Sequence, residues 1–418
     1  MIKIRTTTLS IILLLILSGF ISAQDISEWR EENRTGNSAE TGLLKSWPAN
    51  GPELIWSNLD LARGYSSVTF GNNKIYTTGN IGNDDVLYAL DMNGKILWQT
   101  VFGRAWTASN PESRATPTVE DTRVYCTSGS GDLACIDGNT GKIVWTYKAS
   151  EIHKGTYGSW GIAESMLIDG NKVYYSPGGP ETMTIALDKT KGTLLWKSAS
   201  LDDKPGYVSP ILVSYGGKKM IINVSLGHAF AVDASNGEIL WKIELEGRTG
   251  GRWDLIKCVT PLFSNGRVYV TGGYDTGGVM IEIAKDGKSA KVVWTDKVLD
   301  VHHGGVVLVN GYIYGSNWIN NGNGDWCCID WNTGKKMWEE HWNNKGSIIS
   351  ADGMLYIYEE KTGNVGLLKP NPEKFDLVSS FKITQGAAGP YWAHPVIKNG
   401  ILYLRHSNAL MAYNIKAK

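Results

Sequence analysis

The chain has 418 residues with 41 basic and 41 acidic side chains, a formal net charge of zero. That balance excludes the electrostatic footprint of a nucleic-acid or anionic-membrane partner. Its 49 glycines and 17 tryptophans suit a β fold with many turns and large rings between sheets.

Residues 1–23 read as a signal peptide. Lys3 and Arg5 form its basic start, Ile11 to Leu17 its apolar core, and Ser22-Ala23 a small-residue exit. The apolar run is short for a membrane span. No cysteine stands near the cut to take a lipid anchor. Cleavage before Gln24 leaves an exported protein, periplasmic or secreted, expected to be soluble and monomeric. Residues 24–52 form a leader segment expected to lie across the domain that follows, residues 53–418.

That domain is built from one repeated phrase: a β-rich run, an aspartate, a glycine-containing turn, then a strand ending in an aromatic. Clear copies are YALDMNGKILW (88–98), ACIDGNTGKIVW (134–145), IALDKTKGTLLW (185–196), FAVDASNGEILW (230–241) and CCIDWNTGKKMW (327–338). The terminal aromatics at 56, 98, 145, 196, 241, 294, 338 and 381 are 42 to 53 residues apart. Four short strands in a period of about 40–50 residues mark a β-propeller blade. Length alone would suggest two or three domains, but a single blade cannot bury its own faces, so all must stack together. Within a blade, strand A is innermost, strand B carries a tyrosine (Tyr76, Tyr125, Tyr174, Tyr269, Tyr314, Tyr356, Tyr403), strand C ends at the aspartate and strand D at the aromatic. The last copy lacks strand D, while ELIWSN (53–58) is a strand D with no blade before it. Joined, they complete an eight-bladed, all-β propeller closed by its N-terminal strand, leaving no open edge.

These repeats resemble the pyrroloquinoline-quinone (PQQ) type that builds eight-bladed quinoprotein propellers, over essentially the whole exported chain. The segments TGLLKSWPANGPELIWS, HHGGVVLVNGYIYGSNW and YWAHPVIKNGILYLRH resemble a bacterial PQQ-like branch. The resemblance implies the fold and admits three activities, because one scaffold hosts unrelated functions. These are quinoprotein dehydrogenases, a non-enzymatic scaffold of outer-membrane assembly, and propellers that bind or process carbohydrate. The dehydrogenases imply a base beside the quinone, a calcium ion held by oxygen ligands and a vicinal disulfide over the cofactor.

Equivalent positions of different blades lie on one ring around the axis, so structural positions should repeat and functional ones should vary. One inward ring reads Ser67, Thr116, Ser165, Ser209, Thr260, Gly305, Ser347 and His394: seven small residues and a histidine. A second reads Tyr65, Arg114, Ala163, Tyr207, Cys258, His303, Lys345 and Trp392 and changes in nearly every blade. Beside it stand His302, Lys257, Tyr391 and Trp160, with Glu164 the one acid on its own ring and Asp254 nearby. Cations and aromatics at a funnel mouth suit an acidic oligosaccharide or other small anionic ligand.

The reading that follows is β-elimination from uronate-containing oligosaccharides, as a lyase or dehydratase. Arg114 or Lys345 would clamp the carboxylate, His303 or His394 would be the base, and Tyr207 or Tyr391 the acid. His302, Trp392, Tyr65, Lys257, Glu164 and Trp160 would line the substrate site. No cofactor is required on this reading, and no metal, although His302, His303 and His394 offer an alternative zinc triad. A PQQ- and calcium-dependent dehydrogenase and a non-catalytic scaffold or sugar-binding protein stand as alternatives. Cys126 and Cys135 flank a hairpin and leave a disulfide open, whereas Cys327-Cys328 read as packing thiols in strand C.

Overall fold

A computed structural model describes residues 26–245 and 257–417. The signal peptide and Asp254 lie outside them. Eight sheets of consecutive antiparallel strands form the ring, beginning at Thr69, Thr118, Leu167, Ile211, Leu262, Val306, Gly346 and Val396 for blades one to eight. In blade eight, Glu53–Asn58 pairs antiparallel with Ala409–Asn414, so the first strand of the ring is also its last. The expected fold is thus the observed one. Among the described residues one short α-helix, Ala149–Ile152, interrupts the strands. No helix among the described residues is long and apolar enough to cross a membrane.

The repeated phrase has a physical explanation in the turn between strands C and D. The aspartate side chain accepts backbone N–H groups that the turn leaves unpaired: Asn139 and Thr140 donate to Asp137, Thr190 and Lys191 to Asp188, Asn332 and Thr333 to Asp330. The glycine that closes the turn is left-handed, with φ of 68° at Gly192 and 70° at Gly334. It also leaves room for the aromatic of the preceding blade. A Cβ at Gly192 would stand 2.6 Å from the Trp145 ring, and one at Gly334 2.6 Å from Trp294. Trp56 and Trp145 then donate their indole N–H to the neighbouring turn, at Met92 O and Lys189 O. One phrase therefore sets the turn and docks each blade on the next.

The inner ring of small residues has an equally local cause. Ser67 N–H donates to the Thr116 hydroxyl and Ser165 N–H to that of Ser209, both at 3.0 Å, stitching strand A of one blade to the next.

The leader segment does more than cross a face. Ile26–Ser27 pairs with strand A of blade two and Asn37–Ser38 with strand A of blade seven, so residues between them plug the central channel. Arg30 and Arg34 are buried there. Arg34 donates to the carbonyls of Ser165, Met166 and Pro210 and pairs with Glu28 at 2.8 Å. Four non-glycine residues of the plug, Arg30, Glu31, Asn33 and Arg34, have φ between 56° and 65°, a left-handed backbone that these contacts must hold in place.

All five cysteines are free. Cys126 pairs across the hairpin with Ala134, and Cys135 with Tyr125. The one-residue offset sends the two thiols to opposite faces of the sheet, so this hairpin carries no disulfide.

Candidate functional site

The plug ends the channel partway and leaves a cavity of about 310 Å³ above it, floored by Trp29 and opening at the funnel mouth. Seven of the eight residues on the variable ring line it: Tyr65, Arg114, Ala163, Tyr207, Cys258, His303 and Trp392. Trp160, His302 and His394 join them, as do Trp29, Tyr274 and Glu360, which the repeat register does not single out. Trp29 lies in the leader, outside every repeat. Tyr274 and Glu360 follow strand B, on loops that the alignment of strand A does not reach.

The walls are aromatic. Tyr65 meets Trp392 at 4.8 Å between ring centroids, Trp392 meets His303 at 4.6 Å, His303 lies 3.4 Å from His302, and His302 sits edge-on to Tyr274 at 5.1 Å. Trp160 and Tyr207 form a second wall at 5.8 Å. The Tyr65 hydroxyl donates to Glu112.

The charged groups, in contrast, are committed to the protein. His394 faces Arg30 through Nδ1 at 2.8 Å and the His303 carbonyl through Nε2 at 2.9 Å. A guanidinium can only donate and a carbonyl only accept, so Nδ1 holds the lone pair and Nε2 the proton. Burial, and then Arg30, push this imidazole well below the usual histidine range. It is neutral, with no lone pair left to take a proton. The base expected at His394 is therefore a clamp on the plug: Arg30 also donates to the carbonyls of Ile348 and Val306.

Lys345 does not line the cavity. It is 2% exposed and donates to Glu360 at 2.8 Å and to the carbonyls of Asn320 and Asn321. Burial opposes the charge of Glu360, but His303 at 3.7 Å and Lys345 outweigh it and hold the carboxyl below its ordinary range. Arg114 is in the wall, yet its guanidinium caps the carbonyls of Ser109, Asn110 and Glu112. Neither expected cation is free to clamp a uronate. Three other expected site residues lie elsewhere. Lys257 is buried against Thr276, its amine lowered by burial to about 8. Glu164 is buried outside the cavity, raised by burial to about 8. Tyr391 stacks on His406 at 3.7 Å.

A quinone and calcium centre fits these residues poorly. The tryptophans offer stacking surfaces, but Glu360 is the only carboxylate in the described lining and is already paired with Lys345. Cys327 and Cys328 are buried free thiols in strand C of blade six. Among the described residues no cluster of three or more imidazole, thiol or carboxylate groups converges on a point, which also removes the zinc alternative.

The family described as "Outer membrane protein assembly factor BamB" matches residues 82–340. The chain belongs to this family of PQQ-like repeat propellers. The BamB of Moranella endobia is 24% identical over 271 residues, 63% of this chain and 66% of that protein. The quinoprotein ethanol dehydrogenase of Pseudomonas aeruginosa is 30% identical over 145 residues, 32% of this chain and 23% of that enzyme. The chain thus spans less than two thirds of these relatives. The crystal structure of BamB from Moraxella catarrhalis superimposes with a TM-score of 0.60 at 16% identity, covering 87% of this chain and 99% of that one, which is a likeness of fold. These relatives are assembly factors and quinoprotein dehydrogenases. None of them is a uronate lyase, so the uronate-lyase expectation is overturned, and with it the acidic oligosaccharide as substrate; His303 and Tyr207 stand in the cavity wall, while His394 and Lys345 are held by partners within the protein.

Proposed function

We propose that this BamB-family propeller is a non-catalytic scaffold of the cell envelope that binds other proteins during outer-membrane assembly. One observation carries the reading: in a chain of this family, the funnel groups best suited to chemistry are spent on structure. His394 holds the plug, Lys345 neutralises Glu360, and Arg114 caps a loop. A scaffold needs a rigid body with distinct faces. The closed ring and the hydrogen-bonded plug supply that rigidity.

Cross-linking in living cells, followed by purification of the tagged protein, tests this. The expected result is a discrete covalent adduct with an envelope protein of the outer-membrane assembly machinery. Recovery of the protein without any such adduct, together with dye-linked alcohol oxidation by the purified protein supplied with PQQ and calcium, would overturn it.

A further inference from the structure

The funnel cavity has a surplus of recognition chemistry that scaffolding does not use. His302 is 8% exposed, and its Nδ1 has no hydrogen-bond partner within the protein. The indole N–H of Trp392 is likewise buried and unpartnered, whereas the Nδ1 of His303 lies 3.7 Å from Glu360. The two unpartnered atoms belong to residues that line the cavity. Burying a polar atom without a partner is costly, and two at one cavity form a pattern that a ligand's hydroxyl groups would resolve. A hydroxyl both donates and accepts, so it satisfies an indole N–H and either tautomer of an imidazole.

The rest of the lining narrows the ligand further. Facing aromatic walls, Trp392 on one side and Trp160 with Tyr207 on the other, suit the C–H faces of a saturated ring. A cavity of about 310 Å³ lies at the small end of ligand pockets. The ionic groups at the wall are already engaged, Glu360 in an ion pair with Lys345 and the Arg114 guanidinium as donor to three carbonyls, so a charged ligand would have to displace these internal contacts. Burial keeps His302 neutral as well, well below the usual histidine range.

We infer that this cavity is a binding site for a neutral, polyhydroxylated ring of the pyranose class, of mono- or disaccharide size. The site is separable from the scaffold role: either can hold without the other.

The test is calorimetry and saturation-transfer NMR on the purified protein. The panel is glucose, galactose, N-acetylglucosamine, maltose and cellobiose, with glucuronate and choline as charged controls. At least one neutral sugar is expected to bind saturably, with transfer strongest at its ring C–H protons. Trp392→Ala should weaken binding about tenfold or more, and His302→Ala should weaken it while leaving the circular dichroism spectrum unchanged. Should Trp392→Ala fail to fold, Trp160→Phe serves instead, with the NMR contact map of the wild type as the second readout. The inference is overturned if no neutral sugar binds at millimolar concentration, if only glucuronate or choline binds, or if a sugar binds the variants as tightly as the wild type.

Discussion

At His394 the side chain has a partner on each nitrogen, and this fixes what a substitution does. His394→Gln keeps an acceptor for Arg30, so the plug should stay in place near neutral pH at a modest cost. The two proteins should then differ in how they respond to acid. The folded pKa of His394 lies below its unfolded value of about 6.5. As pH falls through that value, the unfolded chain takes up the proton first. Wild-type stability contributed by this residue is therefore fully present above about pH 6.5 and is lost below it. The glutamine variant has no such loss, so the stability gap should narrow by up to about 1.4 kcal/mol per pH unit below 6.5. Urea denaturation of both proteins between pH 7 and 5 checks this, and a constant gap would show that His394 is not held neutral. His394 also shows the limit of sequence reading at this scale. It stands out from seven small residues on its ring, and the inference that it differs for a reason is sound. The reason is Arg30, which lies 364 residues away in the chain and outside every repeat. Nothing local in the sequence says that an arginine of the leader will arrive at that spot.

At the scale of the element, the blade was legible because its phrase is repeated and each letter has a local job. The aspartate fills the turn, the glycine takes the left-handed position, and the aromatic covers the next blade's glycine. Trp145 is 8% exposed and lies over Gly192. Trp145→Ala should destabilise the protein by about 3–5 kcal/mol, and Gly192→Ala should also cost stability through both the φ of 68° and the 2.6 Å approach to that ring. Thermal unfolding of each variant measures this; near-wild-type melting of Trp145→Ala would refute the docking role. The loops after strand B were less legible. Tyr274 and Glu360 reach the cavity from positions with no counterpart in the other blades, so no register predicts them. Lys257 and Glu164 fail for the opposite reason. Their ring positions are inward, but burial turns them away from the cavity.

For the whole molecule, ring closure through Glu53–Asn58 could be read from an orphan strand at one end and a missing strand at the other. The plug could not. Its two-residue strands are too short to carry a pattern, and they pair with blades two and seven far away in sequence. Without the plug the funnel reads as an open, cationic channel mouth, which is what made elimination chemistry attractive. With it, the funnel is a closed aromatic cup whose charged groups are engaged within the protein, in a family described by outer-membrane assembly. The most direct test of that account is the outer-membrane protein content of a host from which the gene has been deleted, quantified by mass spectrometry against the parent. A several-fold fall in β-barrel proteins, restored by the wild-type gene, is the predicted result. An unchanged outer membrane, with loss of a periplasmic alcohol-oxidising activity instead, would contradict it.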